Sequence, residues 1–389
     1  PSGKALVSGA SIGGARHFVC QSKLARGIWH LRFAQCKSSI PPLLLKNLEK
    51  ILLLIGKNSG LSSSEVHKSI ELDVELITIK RYLSDLVSKN LLLVEGKGRA
   101  TKYFVTPYYK LSHPITIEHY FKDEIDDRDI SNKFNLNLIS KTLSVANIFS
   151  KDEIIYLEGL QSKYTTNVKH LPVDIYKQEL ERLGVDLSWK SSQIEGNTYS
   201  LLETELLLKD QIQAKGKKQE EATMLLNHKV VLDYIIDNPT YFKEISLNKI
   251  EEIHGLLVDG LGIDKNIRKR LVGITGTNYT PLDNEYHIKE AIDQTCCLVN
   301  KKDNTFEKSL LILILLSYIQ AFSDGNKRTA RITGNAILMA NNHCPISFRS
   351  VDSLDYKKAM LIFYEQNNLY AFKKIYIEQY EFAVNNYFR

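Results

Sequence analysis

Lys327, Arg328 and Arg331 crowd together directly after the turn-forming string Ser323, Asp324, Gly325 and Asn326. Helix formers resume at Lys327, and Leu310 to Ile319 is an almost unbroken apolar run, so the local pattern is buried helix, tight loop, helix. The first N–H groups of the second helix have no partner inside it, which makes its end a cradle for phosphate. The helix dipole disfavours each cation placed there by roughly 0.3–1 kcal/mol, and the i,i+3 spacing puts Arg328 and Arg331 on one face. An anion held between them removes that conflict. Asp324, a lone carboxylate beside Gly325, suits a divalent cation bridging polyphosphate oxygens, because Mg²⁺ takes one or two carboxylates plus substrate phosphates. A capped helix with a solvated basic face is the plainer use of the same residues.

A second string carries the opposite misplacement. In Ser188 to Asn197, Ser191 and Glu195 are i,i+4 on a short helix that Gly196 caps. Glu195 therefore lies at the negative end of a helix, where a carboxylate is disfavoured. A cation from elsewhere in the fold has to compensate it.

The string from Gln320 to Arg331 resembles the signature of the Fic (Fido) family, His-x-Phe-x-Asp/Glu-Gly-Asn-Gly/Lys-Arg-x-x-Arg. It matches at every specified position except the first, where Gln320 stands for His. The resemblance implies a nucleotide site for ATP and Mg²⁺. Asp324 holds the metal, Gly325 and Asn326 line an anion hole for the α-phosphate, and Arg328 and Arg331, beside Lys327, hold the β- and γ-phosphates. It also implies a reaction, transfer of AMP to a hydroxyl of a target protein, in which the missing His is the general base. An amide cannot accept a proton at neutral pH, so Gln320 leaves nucleotide binding in place and cripples transfer. Ser191 and Glu195 resemble the family's inhibitory motif, which pairs Glu195 with Arg331.

The elements that must position these residues follow from periodicity. Residues 170–389 read as a mainly α Fic-type domain, with the inhibitory helix around 188–197 and a helix from Pro172 that Gly184 breaks. Ile267 to Ile292, with Gly273, Gly276 and Pro281, reads as a β-hairpin flap. It resembles the family's target-aligning flap, with Tyr279 and Pro281 at its tip. Lone His254, flanked by Ile253, Leu256 and Leu257, reads as a core histidine and not as a replacement base. Asp352 to Gln366 and Leu369 to Asn386 read as closing helices whose aromatics are core.

Residues 41–108 read as three helices and a basic hairpin, resembling a winged helix. Thr78, Lys80 and Arg81 would face a major groove, and Lys97, Arg99 and Lys102 would meet phosphates. Residues 109–169 read as a connector. The segment 1–40 holds six basic residues and no acidic one, equal to the whole net charge of +6, so overall charge is no argument for nucleic acid. Basic and acid-free, and with Met224 the first methionine, it reads as an unfolded extension or transit-like leader. Five cysteines without CxxC or zinc spacing point to a reducing, cytoplasmic compartment, and no apolar run is long enough for a bilayer. The Fic resemblance implies a target protein with an acceptor hydroxyl as partner, and the winged-helix resemblance duplex DNA, with a homo-oligomer left open. A catalytically silent, ATP-sensing DNA regulator is the alternative to a transferase.

Overall fold

Caps and stops in the chain set most helix boundaries of the computed structural model, which describes residues 42–128 and 130–389. The basic segment 1–40 lies outside the described residues. Two units are distinct, the first ending at Phe104 and the second beginning at Val105, with Asn90–Leu93 belonging to the second.

In the first unit, α1 (Pro42–Lys57), α2 (Ser63–Ser69) and α3 (Leu76–Ser88) precede strands β1 (Leu92–Glu95) and β2 (Lys102–Val105), which pair. Ile51, Ile55, Val66, Ile79 and Leu83 are buried, as period-3.6 apolar positions should be. A capping box starts α2: Ser62 N–H donates to Glu65 Oε2 at 2.7 Å and Glu65 N–H to Ser62 Oγ at 3.3 Å. The same carboxylate takes Lys102 Nζ at 2.7 Å, an ion pair exposed on both sides. Lys80, Arg81, Lys97 and Arg99 are exposed and Thr78 is half-buried.

The second unit is helical. Short α4 (Pro107–Ser112) and α5 (Ile117–Tyr120) and a π-helical turn (Leu138–Leu143) lead into α6 (Lys151–His170) and α7 (Val173–Ile194). Then come α8 (Leu201–Asp210), α9 (Gln219–Asp237), α10 (Leu247–Leu257), α11 (Glu285–Lys301), α12 (Thr305–Ile319), α13 (Asn326–Ala340), α14 (Ser353–Gln366) and α15 (Tyr370–Asn386). Every residue of α12 from Leu310 to Ile319 is buried. Its neighbour α13 approaches closely at Gly334, where a Cβ would lie 3.3 Å from Ser309 O, and Ser309 Oγ donates to Gly334 O at 3.0 Å. Of the aromatics of α14 and α15, Tyr356, Phe363, Tyr364, Phe372, Tyr376 and Tyr380 are fully buried. Among the described residues no helix is long and apolar enough to cross a membrane.

Two sequence expectations fail here. Gly184 does not break α7. Glycine costs a helix about 1 kcal/mol relative to alanine, and burial of Leu180, Leu183 and Leu187 around it outweighs that. The expected hairpin flap over 267–292 has no strand pair: residues 267–284 run as an irregular loop, and α11 takes the remainder from Glu285. Among the described residues, the one ladder-like contact of this loop is a parallel bridge from Thr280 to Lys133. The side chain of Asn284 caps α11, accepting from the N–H groups of Tyr286 at 2.8 Å and His287 at 3.4 Å, so helix propensity wins where strand alternation was expected.

Candidate functional site

The loop between α12 and α13 is shaped by two left-handed residues. Gln320 closes α12 at φ 52°, ψ 58°, and Gly325 opens α13 at φ 78°. At Gly325 a Cβ would lie 3.1 Å from Val258 Cγ1 and 3.3 Å from His254 Cε1, so backbone sign and space both demand glycine. Asn326 locks the turn: its Oδ1 accepts from Phe322 N–H at 2.8 Å and its Nδ2 donates to Phe322 O at 2.7 Å. The Asn326 amide is thus spent on the loop, and what it offers an anion is its backbone N–H. No side chain caps α13. Ser323 to Arg328 line a cavity of about 670 Å³.

Behind that loop the charges are buried. The Arg328 side chain is 2% exposed and Arg331 is wholly buried. Arg331 Nε donates to Ser191 Oγ at 2.9 Å, and its Nη2 donates to Ser191 O at 2.9 Å and to Glu195 Oε1 at 2.8 Å. Lys327 Nζ lies 3.6 Å from the other Glu195 oxygen. The two disfavoured helix ends therefore meet, Glu195 at the C-cap of α7 against the first turns of α13. Burial works to raise the Glu195 carboxyl, but Arg331 and Lys327 outweigh it and hold it below the ordinary carboxylate value. Arg328 has weaker compensation, with Asp324 at 3.6 Å. Nη1 of Arg328 and Nη1 of Arg331 are both buried without a hydrogen-bond partner. A buried guanidinium N–H left unpaired costs the desolvation of that group, and of the two only Arg328 lines the cavity.

Gln320 lines the cavity, and its Nε2 donates to Ser317 O at 2.6 Å while its backbone O accepts from Arg268 Nε at 2.6 Å. His254 is no substitute base. It stacks on Phe322 at 3.6 Å, meets Thr329 Oγ1 at 3.2 Å and Asp264 O at 3.3 Å, and burial pushes it down to about 4. His228 on α9 is likewise fully buried and held well below its ordinary value, by burial and then by the charges of Arg328 and Arg331. Among the described residues no group of three or more His, Cys, Asp or Glu is placed to hold a metal. The Asp324 side chain is 69% exposed on the rim, which fits a metal that arrives with its own phosphate ligands.

Gly276 lines the cavity at φ 87°, but Tyr279 and Pro281 are not an exposed tip. Both are buried, and Tyr279 donates its hydroxyl to Tyr318 O at 2.9 Å and stacks on the Tyr318 ring at 4.7 Å. The opposite wall holds residues that no sequence pattern singled out: Phe121, Arg128, Tyr356, Lys358 and Tyr364. Arg128 sits in an acid-rich stretch 148 residues from the carbonyl it binds, and no local pattern marks it. Thr78, Lys80, Arg81, Lys97 and Arg99 belong to the first unit, and the cavity lies wholly within the second.

Residues 244–338 match the family model described as Fic/DOC family. The chain is 29% identical over 174 residues to the protein adenylyltransferase Fic of Nematostella vectensis, covering 43% of this chain and 40% of that protein. It is 27% identical over 158 residues to protein adenylyltransferase fic-1 of Caenorhabditis elegans, covering 39% of this chain and 31% of that protein. The matched region thus spans less than half the length of these relatives. Among solved structures the chain is similar to a segment of Fic-1 from C. elegans, with a TM-score of 0.53 at 20% identity, over 61% of this chain and 72% of that one. That likeness is one of fold.

Proposed function

This chain carries a Fic/DOC domain over residues 244–338, and on that premise we propose that its cavity holds ATP on a protein AMP-transferase scaffold whose transfer step Gln320 curtails. The observation that carries this is the buried Nη1 of Arg328, without a hydrogen-bond partner and in the cavity lining beside the uncapped end of α13. A phosphate oxygen satisfies it, and the N–H groups of the first turn receive the rest of the anion. Asp324 would hold Mg²⁺, whose charge neutralises the polyphosphate when bound there.

In transfer, an acceptor hydroxyl oxygen on a target protein bonds to the α-phosphorus, pyrophosphate leaves, and the hydroxyl proton must be taken up. Gln320 cannot take it, and its Nε2 is already committed to Ser317 O. The proton is left to water, at a cost of roughly 10²–10⁴ in rate. Glu195 occupies Arg331 Nη2 and so competes with the terminal phosphate for the same donor.

A radiolabelled-AMP transfer assay tests this on the native protein, on Glu195→Gly, and on Glu195→Gly with Gln320→His. Label should appear on a protein acceptor only where the histidine is restored, and Glu195→Gly should tighten ATP binding in calorimetry. Strong transfer by Glu195→Gly alone would overturn the role of Gln320. Unchanged affinity in Glu195→Gly would overturn the competition.

A second reading, a silent ATP sensor that binds DNA, draws support from the exposed Lys80, Arg81, Lys97 and Arg99 of the first unit. Replacing Lys80 and Arg81 by Ala should then flatten the salt dependence of duplex binding by about two in slope. No salt-dependent binding by the native protein removes that alternative.

A further inference from the structure

One wall of the cavity comes from residues well before the Fic/DOC match. The Arg128 side chain is only 5% exposed, and that of Glu365, whose Oε2 lies 3.3 Å from Arg128 Nη1, is fully buried. Tyr120 donates its hydroxyl to the same Glu365 oxygen at 2.6 Å. The guanidinium lies over the rings of Phe121 at 4.9 Å and Tyr120 at 5.8 Å. Its Nη2 donates to Gly276 O at 3.0 Å.

Two further bonds tie the same stretches together. Asn278 Nδ2 donates to Asp126 Oδ1 at 3.1 Å, and Thr280 N–H donates to Asn132 O at 3.0 Å. A buried ion pair is a poor way to gain stability, since apolar side chains of similar size do as well or better, but it fixes one geometry. What it fixes here is a loop. Val272 to Gly276 line the cavity yet join no strand among the described residues, so no sheet ladder holds them. Gly276 sits at φ 87° close against α14, where a Cβ would lie 3.4 Å from Leu361 Cδ1.

We propose that Arg128 is a positioning residue of the cavity. Keyed by Glu365 and Tyr120, it holds the 272–276 loop over the site through the Gly276 carbonyl, so Phe121 and Arg128 are part of the binding site. The choice of ATP as probe ligand rests on the reading in the preceding subsection; the holding of the loop does not.

The test is hydrogen exchange on the full chain, followed by mass spectrometry, for native protein, Arg128→Ala and Arg128→Lys, alongside ATP–Mg²⁺ titration in a Glu195→Gly background. Loss of a charge-assisted bond should raise exchange in peptides over 270–280 roughly tenfold in Arg128→Ala, with α12 and α13 unchanged. ATP affinity should fall several-fold. Lysine reaches the carbonyl without the fork to Glu365, so Arg128→Lys should fall between. Unchanged loop exchange in Arg128→Ala overturns the proposal, and so does a rise spread evenly over the second unit, which marks a general stabiliser. If no form binds ATP, the nucleotide reading fails, and loop exchange still decides the role of Arg128.

Discussion

The two walls of the cavity hold their polar groups by opposite means. On one wall, Gln320 to Arg331 are consecutive, and a single helix–loop–helix places all of them. Its shape comes from local devices: two left-handed residues, an asparagine side chain closing the turn, and an apolar helix burying one flank. On the other wall, Phe121, Arg128, Gly276, Tyr356 and Tyr364 come from three separated stretches. There the order comes from long-range bonds, Arg128 to Gly276 and Tyr120 to Glu365. The difference teaches that a site can be half a motif and half a consequence of packing. The motif half carries the concentrated charge, and the packed half shapes the rest of the cavity.

The largest expected effect breaks the first wall at its centre. Arg331→Ala removes three hydrogen bonds and strands the Glu195 carboxylate beside Lys327 alone. Breaking a buried pair by losing one partner costs roughly 3–5 kcal/mol, measurable by urea unfolding, and ATP binding should disappear with it. A cost under about 1 kcal/mol would mean that Arg331 is not the hub of this wall.

Acid probes the layer beneath. His254 is neutral in the fold, pushed down to about 4 by burial from an ordinary 6.5. Its contribution is therefore fully present above pH 6.5 and lost as pH falls from 6.5 toward 4, by ~3 kcal/mol in all. Stability measured against pH should show that loss in the native protein and a flatter profile in His254→Gln. Equal slopes would place the titration elsewhere.

Gly325→Ala tests the turn. A left-handed φ and the contacts with Val258 and His254 should cost roughly 1–2 kcal/mol by thermal or urea unfolding. The smallest effect is expected at Tyr279, in the loop that carries Gly276. Tyr279→Phe deletes one hydroxyl bond to Tyr318 O while keeping the ring stack, and should cost about 1 kcal/mol. A larger loss there than at Gly325 would reverse the contrast between the walls.

Much of the fold was legible from spacing. The buried run Leu310 to Ile319, the helices around it, and the three helices and short strands of the first unit follow apolar period and turn residues. Gly184 and the 267–292 segment were misread for one reason: both turn on tertiary packing, which carries α7 through a glycine and leaves a strand-like alternation without a partner strand. Tyr279 looked like a tip because Gly276 and Pro281 flank it as turn residues do, but an aromatic ring beside Tyr318 gains more by burial. Arg128 had no signal at all, since one basic residue in a polar stretch says nothing about which carbonyl it will meet.

By itself the sequence determined the turn and the charges of the motif wall, because that wall is written in adjacent residues whose turn propensities and charges act over a few ångströms of chain. It also required a compensating cation for Glu195, from the sign of a helix end. Only the tertiary structure decided that Arg331 supplies it across 136 residues of chain and that Arg128 braces the facing loop. Those outcomes depend on which distant surfaces share a core, and local propensity holds no information about that.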